Sequence, residues 1–309
     1  MDINQQTISK SIAISGIGLH SGSEVTMSIM PGQVDTGIVF VRSDVTGKDN
    51  VIPARWDYVS DTRLCTVISN QDNVCVGTIE HLMAAFRGFG VDNAVVRLDG
   101  PEVPVMDGSA APFMAALEKT GLKAQNKARR VIKILKEIKA EEDGKFASLA
   151  PSITSQFRGT IDFEHSAIGK QSHNIHMING NFAHELSNCR TFGFLDDVQA
   201  LRKAGLALGG SLDNAIVLDH DKVMNKDGLR RPDEFIRHKL LDAVGDLFLA
   251  GATIIGAYDC YKPSHALNNA LLHRMFADKS AWTYVSMDLG AVEPHATQKA
   301  RMHDIVSAL

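Results

Sequence analysis

Residues 232–251 read PDEFIRHKLLDAVGDLFLAG, and the rest of the chain is best read outward from them. Pro232 is expected at the first helical position, with Asp233 and Glu234 at the positive end of the helix dipole and Gly251 as the stop. Leu240, Leu241, Val244, Leu247, Phe248 and Leu249 make this helix apolar over much of its circumference. Such a helix is buried rather than laid on a surface. Yet His238, Asp242 and Asp246 recur at i, i+4 and i+8, near one face. A polar stripe on a buried helix needs partners. A histidine nitrogen beside a carboxylate one turn away is a common part of a zinc shell. The plain alternative is a solvated polar stripe, and spacing alone does not decide between them.

Around this helix the chain mixes strand and helix signals. Glu24–Met30 and Gly37–Arg42 are apolar or alternating runs separated by a turn at Pro31–Gly32. Leu64–Ser69 and Asn73–Val76 are expected to form a hairpin around Asn70–Asp72. From Thr78 the period becomes helical and closes at Gly88 or Gly90. Asn93–Leu98 reads as a strand and Ser109–Gly121 as a helix. The polar, aperiodic stretch Lys123–Arg130 is taken as the join between an N-terminal domain, 1–125, and a C-terminal domain, 130–309. The second half opens with a hairpin of Val131–Ala140 and Lys145–Leu149 turned at Glu142–Gly144. Further strands run to about Phe163, and a helix covers Leu195–Ala204. Neither half shows the regular strand–helix alternation of a doubly wound sheet, so the expected class is α+β.

A third metal ligand must come from elsewhere in the chain. Glu80–His81, at a helix start, supplies the best candidate. His81 would complete a set of two histidines and one aspartate with a position left open, and Glu80 beside it could serve as general base. The plain reading of that pair is a dipole-favoured glutamate and a satisfied histidine. The peptidase strings are absent: Ala85 and Gly77 stand where a second histidine would be needed. His265, after Pro263–Ser264, sits at an expected helix start as a proton donor or an ordinary helix-end histidine. His20 lies between Gly18 and Gly22, and Thr191 within Arg190–Phe194. Gly16–Gly18 lacks the third glycine of a dinucleotide loop, and Gly209–Gly210–Ser211 lacks the lysine of a phosphate loop.

The bulk composition excludes several classes. The chain has 309 residues, 44% hydrophobic and 22% charged, with net charge −4 and pI near 6.3. That balance argues against a nucleic-acid partner. The N-terminus has no signal-peptide pattern, and Leu247–Tyr258 is too short and glycine-broken to span a bilayer. The expectation is a cytoplasmic protein with no stable membrane insertion. Cys65, Cys75, Cys189 and Cys260 lie far apart, as expected of reduced, mostly buried thiols.

Six strings in order resemble one family. They are Gly18–Leu19–His20–Ser21–Gly22, Glu80–His81–Leu82–Met83–Ala84–Ala85, Met106–Asp107–Gly108–Ser109–Ala110, Arg190–Thr191–Phe192–Gly193–Phe194, His238–Lys239 with Asp242 and Asp246, and His265–Ala266–Leu267–Asn268–Asn269. The chain is similar to the UDP-3-O-acyl-N-acetylglucosamine deacetylases of lipid A synthesis. The resemblance implies two similar α+β domains, each a sheet layered with helices, with the active site between them. It implies a monomer acting on a small-molecule substrate, and zinc, or iron in the same shell, held by His81, His238 and Asp242. Glu80 would take a proton from water, while Thr191 and Lys239 stabilise the oxyanion. His265 would protonate the leaving amine, oriented by Asp246. An insert near 192–217 would form the acyl channel, with Phe192, Phe194, Val198, Leu201, Ala207, Gly210, Ser211, Leu212, Ala215 and Val217 as its residues. His20 and Cys65 would also meet substrate, and Phe163 and Lys262 would face the nucleotide. Three positions depart from the family pattern. Arg63 replaces an apolar residue, Leu212 a common aromatic, and Ser264 a frequent glycine.

Overall fold

The computed structural model describes residues 3–178, 180–288 and, for the backbone, 292–293. The tail beyond Glu293, to which the sequence assigns no role, lies outside them. Six helices are present among the described residues: α1 (Glu80–Phe89), α2 (Ala111–Thr120), α3 (Asn181–Glu185), α4 (Leu195–Lys203), α5 (Glu234–Phe248) and α6 (His265–Ala277). The fold is α+β, with mixed sheets and helices packed on them.

In the first half a five-stranded sheet runs in the order Ile12–Ile17, Glu24–Pro31, Ala94–Leu98, Ile38–Arg42, Val51–Pro53. Glu24–Pro31 alternates, sending Val25, Met27 and Ile29 inward. Those side chains share one buried cluster with Leu82 and Phe86 of α1 and Phe113 and Leu117 of α2. Gly90, at φ 92°, takes the left-handed position that ends α1. In the second half Thr253–Tyr261 anchors a branched eight-stranded sheet. It pairs antiparallel with Lys145–Ala150, and parallel with Arg130–Ile134 at one end and Ser155–Asp162 at the other. Helix α5 packs on Ser155–Asp162, and α6 on Ile138–Glu142.

Several local expectations change. Within the stretch Lys123–Arg130, where the sequence shows no period, Leu122–Ala128 is a strand paired antiparallel with Asn4–Ile8. Its residues are exposed or half-buried on both faces, so it carries no hydrophobic period to reveal it. Val131–Ala140 is two strands, Arg130–Ile134 and Ile138–Glu142, with different partners. The turn after the second is as expected, with Asp143 and Gly144 at φ 49° and 74°, the pairing a type I′ hairpin requires. The strand expected at Leu64–Ser69 is reduced to Val67–Ser69, since Thr66 gives its N–H to Glu80. Helix α5 starts at Glu234 rather than Pro232. Asp233 has a non-helical backbone, and its carboxylate accepts from Arg237 Nε at 2.7 Å.

Among the described helices the most extensive contact is that of α1 on α5. It depends on Gly245. A Cβ added there would lie 2.0 Å from the Glu80 carbonyl oxygen and 3.1 Å from Ala84 N. The helices therefore touch backbone to backbone, and Glu80 and His81 are brought against the polar face of α5. Gly245→Ala should destabilise the protein by about 1–3 kcal/mol through overpacking, with alanine's helix propensity offsetting only about 1 kcal/mol of a larger strain. Urea denaturation checks this against Gly77→Ala, whose added Cβ meets nothing nearer than 3.5 Å. Equal stability of the two variants would remove the argument.

Candidate metal and acid–base site

At that contact His81, His238 and Asp242 are buried together, with their ligand atoms within 4.8 Å of one another. Asp242 Oδ1 lies 3.2 Å from His238 Nε2 and 3.5 Å from His81 Nε2. The two imidazoles stand nearly perpendicular, with centroids 5.0 Å apart. His238 Nδ1 lies 3.0 Å from the Cys189 carbonyl oxygen. A carbonyl only accepts, so Nδ1 carries the hydrogen and Nε2 is the free nitrogen. Burial lowers the His238 pKa to about 4, so this nitrogen presents a lone pair at neutral pH. Burial alone would raise the Asp242 carboxyl, but His238 and Lys239 hold it well below the usual range. Lys239 Nζ donates to Asp242 Oδ2 at 3.1 Å, whereas buried Oδ1 has no hydrogen-bond partner.

A charged oxygen and a nitrogen lone pair thus face each other 3.2 Å apart, and the one ammonium nearby, Lys239, is bonded to the other carboxylate oxygen. A cation between them resolves the conflict. Two imidazole nitrogens and one carboxylate oxygen fit zinc with an open position, and imidazole also suits iron. The residues present therefore fit the metal that the sequence suggests.

A second group lies alongside. His265 Nδ1 is 2.8 Å from Asp246 Oδ2, and its Nε2 is 3.8 Å from Glu80 Oε1. Asp246 also accepts from Thr66 Oγ1 at 2.6 Å and from Asn268 Nδ2 at 2.8 Å. Asn268 in turn accepts from the Tyr258 hydroxyl at 2.7 Å. Burial works against a charged His265, but Asp246 and Glu80 outweigh it and raise its pKa to about 9. Burial raises Glu80 against the pull of His265 and His81. The two groups are shifted in the directions that suit a base and an acid near neutrality.

Residues 190–194 run along the outer side of α5. Arg190 is tied to Glu234 through its backbone N–H at 2.9 Å and Nε at 3.0 Å. Thr191 is half-buried, its N–H donating to Gly108 O and its carbonyl accepting from Ile216 N. Phe192 lies between Phe235 and Phe163, with its ring centroid 6.4 Å from His238 and Lys239 Nζ 5.7 Å above it. Phe163 also meets Phe194, 5.9 Å away. Lys262, at φ 51°, points its ammonium toward Asp162 and the Tyr261 ring.

A cavity of about 540 Å³ is lined by His20, Cys65, Leu201, Leu206, Thr78 and Val67 among others. Both ring nitrogens of His20 are buried without partners, and burial lowers its pKa. Burial likewise raises the Cys65 thiol to about 12, making it an unreactive wall. Of the expected channel residues, Leu201 lines this cavity; Phe192 and Phe194 sit with the aromatic group beside His238. Gly210, Ser211, Leu212, Ala215 and Val217 form the returning arm, and Val198 lies in α4. Val217 and Ala207 are buried, while Leu212 is exposed. This arm joins the first half by backbone bonds from Leu208 N to His20 O and from Gly209 N to Leu19 O. Arg63 pairs with Asp61 at the cavity's edge, both of them among its lining residues. Ser264 caps α6, its Oγ accepting from Leu267 N at 3.2 Å. That gives the serine a structural reason to stand where the family pattern has glycine.

The sequence offered no signal for Thr66, which looks like an ordinary strand residue. Asn268 stood inside a recognised string without a role of its own. Glu102 was also missed. It accepts from His20 N, Ser21 N and Thr78 Oγ1, and so shapes the loop around Gly18.

Two histidines and a carboxylate beside a buried acid–base pair form the apparatus of a hydrolase. Comparison with known proteins gives the family. Residues 5–277 match the family model for UDP-3-O-acyl N-acetylglycosamine deacetylase. The chain is 45% identical to the UDP-3-O-acyl-N-acetylglucosamine deacetylase of Pasteurella multocida over 295 residues, covering 95% of this chain and 96% of the relative. It is 45% identical to the protein of that name from Shewanella frigidimarina over 296 residues, covering 94% and 96%. The chain belongs to this family and is a hydrolase acting on an amide.

The donor set carries its own test. A metal that binds only the folded state raises thermal stability, by about 2.7 kcal/mol at a hundredfold excess over Kd. Adding zinc to chelator-treated protein should raise Tm, and Asp242→Asn should abolish most of the rise. An unchanged Tm in the wild type would argue against a metal at this position.

Proposed function

We propose that this protein hydrolyses the 2-acetamido group of UDP-3-O-acyl-N-acetylglucosamine to acetate and the free 2-amino sugar nucleotide. This is the committed step of lipid A synthesis. The observation that carries the reading is the meeting, at the α1–α5 contact, of the His81–His238–Asp242 donor set with the Glu80–His265 pair. The names of the relatives supply the substrate. His81, His238 and Asp242 would hold zinc, which when bound acidifies water and polarises the acetyl carbonyl.

The remaining work falls to the chain's own side chains. Glu80 takes the proton of the attacking water at its carboxylate. The Thr191 hydroxyl and the Lys239 ammonium favour the charge that develops on the carbonyl oxygen, each such donor being worth about 3 kcal/mol. His265 gives a proton from Nε2 to the leaving nitrogen. Asp246 is a positioning residue, fixing the His265 ring through Nδ1 and keeping it charged. The sugar rests against Phe192 and Lys239, the nucleotide reaches toward Phe163 and Lys262, and the acyl chain enters the cavity of His20, Cys65 and Leu201. The enzyme works as a cytoplasmic monomer without a nucleic-acid partner. No described helix is long and apolar enough to cross a membrane.

Acetate release from the acylated sugar nucleotide, with metal content measured on the same sample, tests the reading directly. Metal-loaded protein that leaves this substrate intact would refute it. Glu80→Ala should retain metal and lose about 10²–10⁴ in kcat, the range for a general base. His265 must be protonated to act as acid, so activity should fall as pH rises past about 9. Glu80 must be ionised, so its raised pKa places the acid limb above the ordinary carboxylate range. His265→Ala should lower the rate and remove the basic limb, and Asp246→Ala should do less harm. A basic limb that persists in His265→Ala would assign the acid to another group. Leu206→Trp should raise KM about tenfold for a long-chain substrate, equivalent to 1.4 kcal/mol, and leave a short-chain one nearly unaffected. Equal effects on both would place the chain elsewhere.

A further inference from the structure

A second cavity, also about 540 Å³, lies at the far end of α1 and takes no part in the site above. Its lining includes Arg87, Asp92, Arg129, Phe182, Phe248 and Leu122. The volume falls within the range of about 300–1,000 Å³ typical of ligand pockets.

Arg87 is 9% exposed, and among the described residues its guanidinium makes one hydrogen bond, from Nη2 to Ser155 Oγ at 3.2 Å. Among the described residues no carboxylate lies within ion-pair distance of it. Asp92 is near enough to be felt, but its oxygens are engaged by Arg129 Nε and Nη2 at 2.7–2.9 Å and by Gln6 N at 2.6 Å. A guanidinium offers five donors, and burying it without a partner anion is costly. The carbonyls at the end of α1 offset part of that charge. They do not supply the paired acceptors that its planar fork fits. Burial and the neighbouring Arg129 lower the Arg87 pKa only to about 10, so it stays charged at neutral pH. The other wall is apolar, with Phe182 and Phe248 buried there.

We infer that this cavity binds a small organic phosphate, its phosphate against Arg87 and its apolar body against Phe182, Phe248 and Leu122. The site is distinct from the deacetylation centre and does not depend on the reading of that centre. Inorganic phosphate has the charge without the body; a phosphomonoester with an apolar substituent has both.

The test is calorimetric titration with phenyl phosphate and with inorganic phosphate. Lys239→Ala/Lys262→Ala protein is used, so that cations beside the catalytic centre do not compete. Phenyl phosphate should bind at least fivefold more tightly than inorganic phosphate and slow amide exchange at residues 87–92. In the same background Arg87→Met should weaken phenyl phosphate at least tenfold. Asp92→Asn, which removes the competing carboxylate while keeping its shape, should tighten it about threefold. The Asp92 variant also keeps the test open if Arg87→Met does not fold. Failure of both ligands to bind would overturn the proposal, as would phenyl phosphate binding that survives Arg87→Met, or weaker binding in Asp92→Asn. If Arg87 served only to tie Ser155 to α1, Arg87→Met would lower Tm by the same amount with and without phenyl phosphate, and that result too would refute the site.

Discussion

The site depends on the backbone contact at Gly245. Glu80 and His81 sit at the start of α1, and His238, Asp242 and Asp246 along one face of α5. Helices separated by ordinary side chains stand about 8–10 Å apart. The missing side chain at residue 245 lets the Glu80 carbonyl press into α5. The glycine costs helix propensity, and the close approach of two sets of polar residues offsets that loss. A similar close approach recurs where Gly108 meets Asn214 O and where Gly209 meets Gly18 O. These contacts seat the 190–217 segment against the first half, and with it Thr191 and Leu201.

Around that contact nearly every polar group is satisfied by a specific neighbour. Thr66 serves two carboxylates at once, giving its N–H to Glu80 and its hydroxyl to Asp246. Asp246 is held further by Asn268, itself held by Tyr258, so the orientation of His265 is fixed from the central strand of the second sheet. A buried network of this kind is costly when partly satisfied and rigid when complete. The unpaired atoms are therefore informative. Asp242 Oδ1 faces the nitrogens of His81 and His238 in the candidate metal site, and both His20 nitrogens belong to a residue that lines the apolar cavity.

Much of the site was legible in the sequence because its chemistry follows helical spacing. His238 and Asp242 are one turn apart, and Asp246 is one turn further. Glu80 and His81 are adjacent at a helix start. What joins the two groups was not legible, since Gly245 looks like a weak point in a helix and carries no period. The strand Leu122–Ala128 was hidden for a related reason. Periodicity reports burial, and a strand exposed on both faces has none. The start of α5 was misplaced because Pro232 is a permissive signal, whereas the contacts of Asp233 and Glu234 with Arg237 and Arg190 set the boundary. Thr66 and Glu102 act through tertiary partners distant in sequence, which residue type alone does not announce.

The charges of the centre are also matched to its task. Three buried carboxylates, Glu80, Asp242 and Asp246, face Lys239 and a protonated His265, which leaves one negative charge uncompensated. Histidines that hold a metal do so as neutral imidazoles. A divalent cation held there would reverse the sign and leave the centre with one net positive charge. Such a site favours the negative charge that develops on an amide oxygen during hydrolysis more than it favours the neutral amide, and that difference is what accelerates a reaction. The same arithmetic suits an Asp246 that is bonded by His265 and Asn268 rather than added to the candidate donor set. A fourth protein ligand there would close the open position and remove the positive surplus. As a partner of His265, the carboxylate instead holds the ring protonated, which in the proposed reaction would keep a proton available for the leaving nitrogen.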